Sequence, residues 1–364
     1  MNVAKRAMVT LVRESRGWTQ QQLAEAAGTN QAWVSKVESG VVDAHGEMLE
    51  RLASALDCPQ SLLTDDTTLL GLETTCLHNR NRTSKISAKA RKQIVARTLL
   101  TRISVEGVLA GIDLETEGHL VRMDIDETQS PSDVARAVRR LWRVPPGPIV
   151  DVTRLLEAAG IIIVERSFGT NAQDATSTWP PDQTRPPIMV VNVGVPPDRA
   201  RFTKCHELGH LVMHSLPSET MEREADEFAA EFMAPGDDIL DELAGLTTRD
   251  MPRLIELKAR WGMSIAALIR RAKDLGSITD RQYREFNIKL SKLGWRTREP
   301  HTMTPEAPQT MQRLIDLHIQ DHQYSLRDVA TAAAMNPDTF SRVYRPLPQK
   351  ARSTLRVISG DGAE

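Results

Sequence analysis

The tightest constraint on this chain is Phe202-Thr-Lys-Cys-His-Glu-Leu-Gly-His-Leu-Val-Met-His214, in which His206-Glu207-x-x-His210 sits inside an apolar-periodic run that reads as a helix. On a helix, positions i and i+4 share a face about one turn apart, roughly 6 Å of rise, so both imidazoles can reach one metal ion at roughly 2.0–2.1 Å. Glu207 then stands beside the ion rather than on it. Zinc held by three protein ligands keeps a fourth position for water and lowers that water's pKa to about 7, and a neighbouring carboxylate can take its proton during attack on a carbonyl.

A third ligand has to come from elsewhere. Downstream, Glu222 to Pro235 reads as a second helix with Ala225, Phe228, Ala229 and Phe232 as its apolar stripe and Glu222 at the edge of that stripe. Small residues at 225 and 229 let this helix approach the first closely, so Glu222 could complete the site, and Asp226, one turn on, is placed to orient a ligand. His214 continues the i, i+4, i+8 series, but eight residues carry it about 12 Å along the axis from His206, too far to share one ion. It reads as a helix-end residue. The longer spacing that would recruit a further histidine fails at Leu216.

The first 64 residues point to a different activity. Thr19-Gln-Gln-Gln22 is a capping box opening a helix through Leu23, Ala24 and Ala27; Gly28 ends it, and Asn30 caps a second helix from Gln31 to Glu38. Val34 and Val37 face inward, whereas Gln31, Ala32, Trp33, Ser35 and Lys36 face out. With Glu38-Ser-Gly40 and the amphipathic Met48–Leu56, the segment resembles the Xre/Cro–repressor family. That resemblance implies that Gln20 meets a phosphate, that Gln31, Ala32 and Lys36 face base edges in the major groove of double-stranded DNA, and that Trp33 belongs to the same DNA-binding set. The charge is against it: six Lys/Arg face seven Asp/Glu, and a helical dimerisation or docking module is the alternative.

From Arg80 to Arg102 there are eight Lys/Arg and no Asp/Glu. Plainly read, this is a solvated linker helix; alternatively it supplies the missing phosphate contacts or binds an activating nucleic acid. As a connector it is a plausible protease-sensitive site. Residues 119–200 alternate helix and strand: a strand at His119–Met123, helices at Pro131–Trp142 and Val152–Ala159, and strands at Ile161–Val164, Ala175–Trp179 and Ile188–Val193. An exposed edge strand beside the metal is expected to hold extended substrate, and Ala175–Trp179 is the candidate. Residues 236–298 read as helical, with Leu254, Leu257, Ile265, Leu268 and Ile269 as core. Ser325–Val343 matches Thr19–Val37 at six of nineteen positions, including Asn336, Ser341 and Val343, and looks like a second helix-turn-helix whose outward Asp338 disfavours DNA.

The layout expected is multidomain and mainly α. It comprises a five-helix helix-turn-helix domain at 1–64, a basic helical linker at 65–118, an α+β zincin-like peptidase domain at 119–298 and a helical C-terminal region at 299–364. A length of 364 residues, a net charge of −2 and 26% charged residues suit an ordinary soluble protein. Cys58, Cys76 and Cys205 are odd in number and far apart, which argues for a reducing compartment. Cys205 reads as a buried bystander. With no signal peptide and no apolar run of 18 residues, a cytoplasmic protein without membrane contact is expected.

The stretch Arg201–His214 followed by Glu222–Pro235 resembles the ImmA/IrrE family of zinc metallopeptidases over roughly residues 119–298; Trp261-Gly-Met-Ser-Ile and Gly294-Trp-Arg recur in its larger members. The resemblance implies zinc on His206, His210 and Glu222, catalysis by Glu207, and Asp226 at a position usually Asn or Asp. It also implies selective cleavage of a helix-turn-helix repressor in a stress, mobile-element or phage response, with single-stranded DNA as an activator in some relatives. Here both domains share one chain. That suggests self-cleavage in the 65–118 connector, or recruitment to a partner at an operator. The alternative is a DNA-binding regulator or antitoxin whose peptidase-like domain is a non-catalytic sensor.

Overall fold

The computed structural model describes residues 3–65, 86–112, 120–123, 129–180 and 183–344. The first five helices are α1 (Arg6–Ser15), α2 (Gln20–Ala26), α3 (Gln31–Ser39), α4 (Glu47–Ala55) and α5 (Gln60–Thr64). Local chemistry sets their ends. Thr19 accepts from the Gln22 N–H while the Gln22 side chain returns to the Thr19 N–H, and the Asn30 side chain accepts from the Trp33 N–H at 2.9 Å. Each such cap is worth about 1 kcal/mol. Met8, Val12, Leu23, Val34, Leu49 and Leu52 form the buried centre of this unit.

A 22-residue helix, α6 (Ala88–Leu109), follows. It is not the solvated linker that its charge suggests. Lys89, Arg91 and Lys92 in its first turns are exposed, but Ala96 and Ile103 then pack into the helix-turn-helix core, and Ile94, Val105 and Val108 into a second core on another side of the helix. Arg102 is completely buried. Its guanidinium donates to the carbonyls of Thr178 at 2.6 Å and Pro186 at 3.2 Å and to Glu106 at 2.8 Å. The residues of the connector at 66–85 lie outside those described.

Next come α7 (Pro131–Leu141), α8 (Val152–Ala158), β1 (Ile162–Glu165), β2 (Ala175–Thr178), β3 (Ile188–Val191), α9 (Pro197–Met213) and α10 (Met221–Met233). His119 is outside the described residues, and 120–123 form no strand; the Met123 N–H donates to the Val212 carbonyl at 2.9 Å. The sheet order is β1-β3-β2, with β1 parallel and β2 antiparallel to β3. Alternation splits its side chains between two cores. Ile163, Ala175, Met189 and Val191 pack towards α9, whereas Ile162, Val164, Ile188 and Val190 pack towards α6. Helices α11 (Gly236–Leu243), α12 (Met251–Trp261), α13 (Ile265–Asp274) and α14 (Asp280–Lys292) enlarge the α9 core, in which Leu254, Leu257, Ile265, Leu268 and Ile269 are all buried.

The C-terminal part is woven into the rest. Residues 299–309 run irregularly over the molecule and are held by carboxylates at helix starts. Glu299 accepts from the N–H groups of Ile265 and Ala266, Glu306 from those of Val152 and Thr153, and Glu157 from those of Gln309 and Thr310. Then α15 (Thr310–Gln320), α16 (Leu326–Ala332) and α17 (Pro337–Tyr344) close the second core against β1 and α6.

The α16–α17 pair repeats the local form of α2–α3. Ser325 makes a capping box with Asp328, and Ala334 turns with φ +51° where Gly28 has +62°. Its outward face is engaged within the chain. Asn336 and Thr339 each donate to the Asp57 carboxylate at 3.0 Å.

Candidate metal centre

Helix α9 runs through the core, buried along most of its length. Gly209 sets how closely α10 can lie on it: a Cβ there would stand 3.2 Å from the Phe228 ring and 3.3 Å from the Ala225 Cα. That close crossing brings Glu222 to the two histidines. His210 Nε2 is 3.1 Å from His206 Nε2 and 2.8 Å from Glu222 Oε1, and His206 Nε2 is 3.6 Å from Glu222 Oε2. The three donor atoms lie within 4.8 Å of one another. Asp226, one turn after Glu222, meets His206 Nδ1 at 2.8 Å.

His214 has a larger place than helix end. It does not reach the donor cluster, but its Nδ1 lies 2.9 Å from His210 Nδ1, and its Nε2 is 3.1 Å from Glu224 Oε2. The i, i+4 spacing already allowed ring contact with His210; the reading of residue 214 weighed only its reach to the ion. Glu224 turns towards it because α10 crosses α9. With Nδ1–H of His206 given to Asp226 and Nδ1–H of His210 given to His214, both Nε2 lone pairs face each other beside the Glu222 carboxylate. Two buried lone pairs and an anion at such distances repel, and a divalent cation relieves all three. Two imidazoles and one carboxylate are a zinc donor set with room for a fourth ligand. The residues therefore fit zinc.

A proton on His206 can relieve the same repulsion, and the titration of the cluster reflects it. Burial alone would lower the His206 pKa, but Asp226 and Glu222 overcome it and raise it to about 9. Burial and the neighbouring His210 push His214 down to about 4. Burial would raise Glu222, yet the two histidines hold it well below the usual carboxylate range.

Glu207 is buried and turned towards the sheet, where the Ser177 hydroxyl donates to its Oε2 at 2.7 Å. Ser177 is a site residue that the sequence did not single out; only sheet pairing brings it within reach of α9. Its strand β2 is at the sheet edge, but it is not exposed. All four residues are buried, Gln173 donates to the Ala175 carbonyl and Arg122 to that of Trp179. Cys205 is buried in the α9 core, and burial pushes its thiol up to about 12.

Lys204 and Arg201, further back on α9, meet in a buried charge cluster. Both engage Glu306, Lys204 at 3.1 Å, and Lys204 also meets Thr153. In the first domain, Gln31, Ala32 and Lys36 are exposed, whereas Trp33 is half-buried against the core. Gln20 donates to Glu38 at 2.8 Å and accepts from Gln31 at 3.0 Å.

Fold and site together define a protein with a His-His-Glu centre on two crossing helices over a small mixed sheet, preceded by a helix-turn-helix unit. Residues 156–273 match the family model of the IrrE N-terminal-like peptidase domain, and residues 9–65 match that of a helix-turn-helix domain. The chain thus carries a peptidase-type and a DNA-binding-type domain. No curated protein matches the sequence. Among the described residues no helix is long and apolar enough to cross a membrane.

Proposed function

We propose that this protein is a zinc-dependent endopeptidase that cleaves a specific regulatory protein, a helix-turn-helix repressor or its own connector, and that its first domain carries it to double-stranded DNA. The observation that carries this reading is the convergence of His206, His210 and Glu222 beside a Glu207 that binds none of them and is oriented by Ser177. When bound there, zinc would supply Lewis acidity, activating water and polarising the scissile carbonyl. Glu207 takes the proton of the attacking water and passes it to the leaving amine. Ser177 holds the Glu207 carboxylate towards the substrate side of the site, Asp226 orients His206, and His214 orients His210.

A second reading, a DNA-binding regulator or antitoxin with a non-catalytic sensor domain, draws on the buried state of β2. A peptide pairing along it would meet Gln173 on the Ala175 carbonyl and Arg122 on the Trp179 carbonyl just past its end. The Glu207→Gln variant separates the two. Under DNA damage, cells carrying it should accumulate one intact regulatory protein, with zinc per chain unchanged; identical proteomes would remove the catalytic reading and leave the regulator.

A further inference from the structure

A cavity of about 810 Å3 that shares no lining residue with the metal centre opens where the helix-turn-helix domain, α6, β1 and the α16–α17 pair meet. Four guanidiniums line it: Arg16 after α1, Arg97 on α6, Arg166 after β1 and Arg342 on α17. Among the described residues they face two carboxylates, Asp57 and Glu165. Asp57 serves Arg16 at 3.7 Å and Arg342 at 3.5 Å. Glu165 pairs with none of the four.

Arg97 and Arg166 are left with neutral acceptors. Arg97 donates to the carbonyls of Ser15, at 2.7 Å, and Ser167, and Arg166 donates to the Thr101 hydroxyl at 2.8 Å. Among the described residues neither has a carboxylate partner. Burial, with Arg166 and Arg16 close by, holds the Arg97 pKa below its usual range, so the pocket keeps like charges together at a cost. Partly buried guanidiniums with unused N–H groups are suited to a multivalent oxyanion, which their planar forks bind through paired hydrogen bonds. Leu100, Ile103, Val164 and Met335 give the same cavity an apolar wall. Its volume lies within the range of small-molecule sites.

We propose that this cavity binds a phosphate-bearing small molecule of nucleotide size, with its phosphates between Arg97 and Arg166 and its apolar body against Leu100 and Ile103. Because the walls come from the DNA-binding domain, the central helix and the sheet, an occupant ties the three together. This site does not depend on whether the metal centre turns over.

The test uses the full chain at fixed ionic strength, with inorganic pyrophosphate, ATP and adenosine as probes in titration calorimetry and thermal unfolding. Pyrophosphate and ATP should bind saturably and raise the unfolding temperature, and adenosine should bind at least tenfold more weakly than ATP. Arg166→Gln should weaken ATP at least tenfold. Leu100→Phe, which fills the cavity and removes no charge, should abolish ATP binding while the unliganded protein stays folded. Failure of pyrophosphate and ATP to saturate overturns the proposal. So does adenosine binding equal to that of ATP, or ATP binding that both variants retain.

Discussion

Glu306→Ala tests how the C-terminal strap supports the metal centre. The Glu306 side chain is 9% exposed, and those of Arg201 and Lys204 are 5% exposed each, so the variant leaves two buried cations without their counter-charge. Breaking a buried ion pair from one side costs about 3–5 kcal/mol. The N–H groups of Val152 and Thr153 also lose their acceptor, about 1 kcal/mol by analogy with a lost helix cap. These contributions share atoms and do not add fully, and Arg201 keeps the Ile149 and Val150 carbonyls, so about 4 kcal/mol is the expected loss. With a urea slope of about 3 kcal/mol/M, the midpoint falls by about 1.3 M. Tryptophan fluorescence reports it, since Trp142, Trp179, Trp261 and Trp295 all belong to the α9 core. Lys204 immediately precedes Cys205 and His206, so the variant should also lose zinc faster to a chelator. The control, Glu256→Ala on an exposed site, should stay within about 0.5 kcal/mol. A Glu306→Ala midpoint within about 0.2 M of the parent would refute the argument.

The same carboxylate predicts a pH dependence. Burial would raise the Glu306 pKa, but Arg201 and Lys204 lower it below its ordinary 4.5, so its stabilisation is present above that value and is lost as the pH falls through the lower folded value. The stability gap between the parent and Glu306→Gln should therefore close in acid below about pH 4.5, as urea titrations at several pH values will report. His214→Phe removes the partner of His210 Nδ1 and should weaken zinc about 10–100-fold, measured by competition with a chelator; unchanged affinity would make His214 a helix end after all. Gly107→Ala places a Cβ 1.9 Å from the Ala332 carbonyl oxygen and should cost at least about 1–3 kcal/mol by forcing α16 off α6, seen in thermal unfolding.

Much of this protein obeys rules that act within a few residues. His206 and His210 share a helix face because four residues make about one turn, and Thr19, Asn30 and Ser325 cap helices because their side chains reach the N–H groups three residues on. Those features were legible without coordinates, as was the apolar stripe of α10. The sequence offered reasons to expect Glu222 at the site, but its distance to the histidines depends on how α9 and α10 cross at Gly209. Helix α6 misled because its charges crowd its solvent-exposed start while its apolar residues spread around the axis to serve two cores, leaving no single amphipathic face. Ser177 on Glu207, Arg102 on the β2 and loop carbonyls, and Glu306 on Arg201 and Lys204 join residues 30 to 105 positions apart. No local periodicity records such pairs. They form because a buried charge or hydroxyl must find a partner, and only the packed chain decides which partner is near.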